Sequence, residues 1–479
     1  MRRRYAIGPR LGRVLVGLPP YAWLVLFFLV FQGRGHRAGT AGFGVGVSGW
    51  DYALTQCRAI ILYLKLAVWP HPLVVDYGMD VVKGIGDVLP QAIGLVLLLG
   101  GAGVALWRRP ALGFLGAWFF LILAPSSSVV PLVTQTIAEH RMYLPLAAVV
   151  ALAVCGGYSL LSRLGTGSGQ VSTAAWRCYV AALFVLSAGL GYLTARRNVD
   201  YCSPLSLWSD TVAHCPANPR AHNNLGAVLL DIPGRLDESV AELMEAIRLK
   251  PDYAPAHSNL GTAWFKMPGH MLQAEEEYRQ ALRLDASIAV AHDNLGNIWQ
   301  EIPGRLDEAI AQHEEALRLN PELASAHTNL ATALSKKPGR LNDALAHYRK
   351  ALRLDGTNAA VHFDFGKALR QSGDPGQAMS EFQAALALDP AFAPAHVSLG
   401  VMLAKSGKLS EAAEHFRLAI SADPANADAH NDLGNVLYQM GRLNEAEGEY
   451  NKALELSPAL DSARRNLGIV QDKMRRDAK

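Results

Sequence analysis

The feature that most constrains this chain is a Leu-Gly pair, or a close variant of it, that returns eight times at a nearly fixed interval. Leu225-Gly226, Leu260-Gly261, Leu295-Gly296, Leu330-Ala331, Phe365-Gly366, Leu399-Gly400, Leu433-Gly434 and Leu467-Gly468 are separated by 35, 35, 35, 35, 34, 34 and 34 residues. A period in this range marks an array of supersecondary units, each burying its apolar face only by stacking on the next.

Inside every complete repeat a small residue is followed four positions on by a large one and three positions later by alanine. Ala446, Tyr450 and Ala453 form the last such set and Ala309, His313 and Ala316 the third. Small residues let antiparallel helices approach closely, and large ones fill the groove between neighbouring hairpins. A glycine such as Gly407 or Gly441 supplies the turn between helices. Repeats one to four insert one more residue and a proline there, as in Ile232-Pro233-Gly234-Arg235, which accounts for 35 against 34. These residues resemble the tetratricopeptide repeat family over about 204–476, with seven full repeats, a leading half repeat and a trailing half repeat. The trailing half, Asp461 to Arg476, reads as a charged capping helix.

The first part of the chain is chemically different. Residues 1–203 hold 17 Lys and Arg against 6 Asp and Glu, whereas 204–479 hold 28 against 36, so a formal net charge of +3 averages two unlike halves. The second half shows no basic patch interleaved with aromatics, and no nucleic-acid partner is expected. Five stretches free of charge, or nearly so, are candidates to cross about 30 Å of hydrocarbon: Val14–Gly33, Val88–Trp107, Ala111–Pro125, Met142–Ser162 and Cys178–Ala195. A further apolar stretch, residues 53–70, carries Arg58 and Lys65. Two cations at mid-span are costly, so it reads as an interfacial helix, with a sixth crossing as the alternative. The fold class expected is therefore all-α, a multispan transmembrane helical region over 1–203 followed by an α-solenoid over 204–476. The arginines before the first span place the N-terminus in the cytoplasm. Five crossings then put the solenoid on the extracytoplasmic side, in a periplasm or lumen.

Immediately before each Leu-Gly pair stands a polar residue: Asn224, Asn259, Asn294, Asn329, Asp364, Ser398, Asp432 and Asn466. Stacked at the solenoid period they form one ladder along the first helices. An amide offers donor and acceptor together, which suits the backbone of an extended peptide. This ladder resembles that of the repeat arm of protein O-GlcNAc transferases, which implies a concave groove that grips peptides. The competing reading is that these residues solvate the inner face or cap local backbone. A second periodic set, His222, His257, His292, His327, His362, His396 and His430, stands two positions earlier. Neighbouring repeats lie about 10 Å apart, too far for histidines of successive repeats to share one metal ion. Each is expected to be packed or hydrogen-bonded within its own helix interface. The five cysteines show no metal-ligand spacing; Cys202 and Cys215 are near enough in sequence to pair in an oxidising compartment.

The stretches Arg58 to Tyr77, with Trp69-Pro70 and Asp76-Tyr77, and Ala138-Glu139-His140-Arg141-Met142-Tyr143-Leu144-Pro145 resemble the family of transmembrane and tetratricopeptide-containing protein O-mannosyltransferases and its bacterial relatives. That resemblance implies a lipid-phosphate-linked sugar donor and a solenoid arm that receives substrate. Arg58, His140 and Arg141 are the candidate contacts for a lipid phosphate; a snorkelling arginine that fixes helix depth is the equal alternative. The acids of the first outer loop, Asp51, Asp76, Asp80 and Asp87, do not match the family's acidic motif, and the chain reads as N-terminally shortened. No catalytic residue, metal or cofactor is assigned. Two functions follow: a membrane-anchored scaffold binding partner proteins or extended peptides, or a polyprenyl-phosphate-sugar-dependent protein O-glycosyltransferase.

Overall fold

A computed structural model of the chain describes residues 49–68, 74–78, 81–123 and 173–477, with short stretches between 150 and 160. Every regular element among the described residues is helical. The chain forms two compact units, residues 1–232 with 248–250, and residues 233–247 with 251–479.

In the first unit, Ile85–Arg108 is the one helix among the described residues long and apolar enough to cross a bilayer. Its 24 residues reach about 36 Å at 1.5 Å per residue, enough for a hydrocarbon core of about 30 Å. Val96, Leu97 and Trp107 stand well exposed along it, a surface that water disfavours and lipid accepts. The other described helices do not support the five-span expectation. The stretch Ala111–Pro125 begins in the helix Pro110–Leu123, and its last two residues lie outside the described ones. The stretch Cys178–Ala195 lies within the helix Thr173–Asp200. Val14–Gly33 lies outside the described residues, as does most of Met142–Ser162.

The stretch expected to lie at the interface forms the helix Gly49–Val68. It buries Ala59, Ile60, Tyr63 and Leu66 in one cluster with Phe119, while Arg58 stays exposed on another face. Thr55 Oγ1 accepts the backbone N–H of Val82 at 2.9 Å and pins the following loop to this helix. The leading half repeat, Pro204–His214, and the first helix of the first repeat, Pro219–Leu229, also belong to this unit.

The second unit is a stack of helical hairpins, Ala254–Lys266 with Met271–Leu284 through Ala427–Gln439 with Leu443–Leu456, ended by Asp461–Asp477. The turn glycines, Gly234 through Gly441, adopt φ between 77° and 87°, a left-handed conformation that costs other residues about 1 kcal/mol or more. Close helix approach explains the glycine of the Leu-Gly pair. A Cβ at Gly261 would lie 2.9 Å from the Tyr278 ring, and one at Gly434 would lie 2.7 Å from Tyr450. Tyr278, Tyr348, Phe382, Phe416 and Tyr450 are almost completely buried. Each contributes about 2–3 kcal/mol by leaving water, so the repeating aromatic carries much of each hairpin's stability. Trp299 adds a joint between repeats, since its indole N–H donates to Glu275 at 2.8 Å while the Arg305 guanidinium lies 4.0 Å above its ring.

Candidate functional site

The ladder residues occupy the same register in successive first helices, each just before a leucine or phenylalanine that is buried in seven of the eight repeats. Seven of the eight are half-buried and Ser398 is buried. Within the second unit they tie one repeat to the next. Asn294 Nδ2 lies 3.4 Å from Thr262 Oγ1, Asn329 Nδ2 donates to both carboxylate oxygens of Asp293 at 3.1 Å, and Asn466 Nδ2 donates to Asn431 and Asn435 at 3.2 and 2.8 Å. The two acids are held within their own helices. Asp364 accepts from Lys367 at 3.1 Å, and Asp432 accepts from Asn431 and Asn435; burial pushes the Asp432 carboxyl above its ordinary range. In the first unit Asn224 accepts from Asn223 at 3.0 Å. Tyrosines of the second helices join the same seam, Tyr278 donating to Thr262 at 3.0 Å and Tyr450 to Asn435 at 2.8 Å.

The periodic histidines follow one rule. In His222, His257, His292, His327, His362 and His396, Nε2 lies 2.9 to 3.4 Å from the carbonyl oxygen six residues earlier. A carbonyl only accepts, so Nε2 carries a proton in each. Nδ1 then faces a side chain 19 or 20 residues on, and its identity varies: Glu277, Gln312, His347, Glu381, His415 and Glu449 face His257, His292, His327, His362, His396 and His430. Facing a carboxylate, the ring gains by holding a second proton, and the Glu277 bond raises the pKa of His257 above the ordinary value despite burial. Facing a second imidazole, it does not. Burial depresses His327, His347 and His415, and the neighbouring ring adds to this for His347 and His415.

These shifts have opposite consequences for stability. A histidine whose folded pKa is depressed contributes stability that is present above its unfolded value and lost as pH falls through the folded one. A raised one, such as His257, contributes stability that is present below its unfolded value and lost as pH rises through the folded one. Between about pH 7.5 and pH 5.5, spanning the ordinary histidine value, the hairpins joined by His327–His347 and His396–His415 should loosen. The hairpin of His257–Glu277 should tighten. The double variant His347→Glu/His415→Glu, which copies the pairing of the other repeats, is expected to flatten or reverse the fall in melting temperature over this interval. An unchanged pH profile would remove the imidazole pairs as its cause.

One cluster escapes the sequence reading. Asp293 and His313 are both buried, joined at 2.8 Å from Asp293 Oδ1 to His313 Nδ1. Ser325 donates to the other carboxylate oxygen at 2.9 Å, and Asn329 to both. His313 Nε2 is buried without a partner. The available signal is that His313 stands where other repeats carry an aromatic or leucine, and Asp293 where they carry Asn, Ser, Thr, Phe or Val.

In the first unit, Arg58 is exposed on its helix, whereas His140 and Arg141 lie outside the described residues. The loop acid Asp76 is buried and occupied. It accepts from Arg220 Nη2 and from the Gly78 backbone N–H, each at 2.9 Å, while its own carbonyl accepts Asn218 Nδ2 at 3.0 Å. Burial raises its pKa, and the Arg220 charge partly offsets that. Gly78 has φ of 65°, and a Cβ there would lie 2.4 Å from Asn218. No disulfide joins Cys202 and Cys215. No group of three or more His, Cys, Asp or Glu suited to a metal is found among the described residues.

Models of the tetratricopeptide repeat match residues 303–338, 336–373, 363–427 and 403–467, so this stretch of hairpins consists of such repeats. Protein O-mannosyl-transferase Tmtc3 of Drosophila melanogaster is 29% identical over 210 residues, covering 42% of this chain and 22% of the relative. Protein O-mannosyl-transferase Tmtc2 of the same organism is 32% identical over 131 residues, covering 27% of this chain and 13% of the relative. The chain thus matches less than a quarter of the length of either curated relative. Among solved structures, YrrB, a TPR protein with an unusual peptide-binding site, is 25% identical with a TM-score of 0.34, covering 40% of this chain and 97% of that one. The MamA protein is 25% identical with a TM-score of 0.32, covering 36% of this chain and 93% of that one.

Proposed function

We propose that this chain is a membrane-anchored scaffold whose solenoid holds extended segments of partner proteins along the ladder of its first helices. The observation that carries this reading is the ladder's state: half-buried amides at one register, with the N–H side committed to the preceding repeat at Asn294, Asn329 and Asn466. The amide oxygens are the atoms offered to a ligand, and they suit the backbone N–H groups of a strand-like peptide whatever its side chains. The apolar helix Ile85–Arg108 supports the anchor. In this reading it is one of several crossings, with the N-terminus cytoplasmic and the solenoid extracytoplasmic.

The test uses a peptide selected on the purified chain from a random-sequence display library. Asn259→Ala/Asn294→Ala should weaken its binding about ten-fold, from two lost hydrogen bonds of roughly 1 kcal/mol each offset by water, with helicity retained. Equal affinity would refute the groove.

The two curated relatives favour a second reading, a polyprenyl-phosphate-sugar-dependent protein O-glycosyltransferase in which the solenoid presents the acceptor and Arg58, His140 and Arg141 hold the donor phosphate. The same preparation, incubated with polyprenyl-phosphate mannose and acceptor proteins, separates the two. Glycoprotein formed by the chain and lost in Arg141→Ala supports the enzyme; its absence supports the scaffold.

A further inference from the structure

We propose that the two imidazole pairs, His327–His347 and His396–His415, are binding sites for a late first-row divalent ion, with Zn²⁺ as the representative. In both, the Nδ1 atoms lie 2.9 Å apart with ring centroids at 5.2 Å. Two nitrogens held at about 2.0–2.1 Å from a tetrahedral ion stand about 3.3–3.4 Å from each other, so the rings need to part by only about half an ångström.

The first histidine of each pair already has the support that metal-bound histidines have. Its Nε2–H donates to a backbone carbonyl, Pro321 for His327 at 3.2 Å and Pro390 for His396 at 3.1 Å. That bond fixes the tautomer and aims the Nδ1 lone pair at the partner ring. The partner, His347 or His415, now donates its Nδ1–H. On binding, that proton leaves Nδ1 and the ring takes one at its own Nε2, so both rings stay neutral and no net proton is released. His347 and His415 are half-buried, which leaves a path from solvent.

The ion's remaining positions fall to water or to a carboxylate one helical turn before the second histidine. Asp343 and Glu411 stand there, held now by Arg340 and Lys408. The surroundings rank the sites. Lys350 and Arg353 act on His327, and Arg340 and Asp343 on His347, whereas Glu411 and Glu414 act on His415. The pair His396–His415 therefore binds the cation more tightly. The remaining repeats are poorer sites: their histidines face Glu or Gln, and a carboxylate partner favours a second proton that an ion would have to displace.

The test is Zn²⁺ titration of the full chain in detergent by calorimetry, with Co²⁺ absorption as a second readout. The wild type is expected to bind two ions per chain more than His347→Gln/His415→Gln, each single variant losing one, and His415→Gln losing the tighter. Glutamine suits the fold here, since Gln312 occupies the same place beside His292. The reciprocal variant His327→Gln/His396→Gln should behave alike, and circular dichroism without metal verifies that each variant is folded. Equal stoichiometry in wild type and the folded double variants, or no uptake at micromolar Zn²⁺, would overturn the assignment and leave each pair a simple N–H···N hydrogen bond.

Discussion

Asp293→Ala is expected to lower the stability of the repeats around it by about 1–3 kcal/mol, the range for leaving a buried polar group without its hydrogen bond. The carboxylate is 2% exposed and His313 is fully enclosed. Removing it strands the His313 N–H, the Ser325 hydroxyl and the Asn329 amide together. His313 has no second partner to turn to, because its Nε2 is already unsatisfied. His313 is the buried member, so its stranded N–H sets this cost, whereas Ser325 is exposed and Asn329 half-buried and both can turn to water.

The repeats supply their own rescue. In the last one, Asn431, Asn435 and Tyr450 fill the corresponding places, with the Tyr450 hydroxyl donating to Asn435 at 2.8 Å. Repeat three already has Asn297 at the middle position. Asp293→Asn/His313→Tyr should therefore recover most of the loss. Hydrogen exchange of the amides in 289–335 is the suitable measurement, because a repeat array does not unfold in one step. A loss under about 1 kcal/mol in Asp293→Ala would show that the carboxylate is dispensable.

Arg220→Met is expected to destabilise the first unit by about 3 kcal/mol, at the low end for a broken buried pair because the arginine is 21% exposed and partly screened. Without the guanidinium, Asp76 keeps only the Gly78 backbone N–H on its carboxylate, and the charge-lowering influence on its pKa is gone. Its folded pKa then stands further above the unfolded value. For a group raised in this way, stability is fully present below the unfolded pKa and lost as pH rises through the folded one. The deficit should therefore be greatest at neutral pH and shrink on acidification. Proteolysis within 74–78, compared between the variant and wild type at the two pH values, measures it. Equal susceptibility would mean that the loop is held by Asn218 and Thr55 alone.

This contact also illustrates what sequence reasoning can miss. Asp76 reads as a loop acid that fails to match a catalytic motif, yet its partner Arg220 lies 144 positions away in the first repeat. No local pattern announces that pairing. Membrane length is a similar case: charge-free stretches can be counted in a sequence, but among the described residues one helix, Ile85–Arg108, is long and apolar enough to cross a bilayer. The histidine series shows the reverse, since its period alone excludes a metal shared between repeats, and the rings do bond within their own hairpins.

By itself, the sequence determined the helical hairpins, their register, the turns and the ladder positions, because helix packing at a constant period writes the same small, large and small residues into every repeat. Only the tertiary structure decided what each polar side chain faces. Whether a histidine meets a carboxylate or another imidazole, whether an asparagine is free or committed to the preceding repeat, and whether Asp76 is open or clasped all depend on residues 19 to 144 positions apart. Those partners vary from repeat to repeat because backbone packing does not constrain them, and the protonation of the histidines follows that variation.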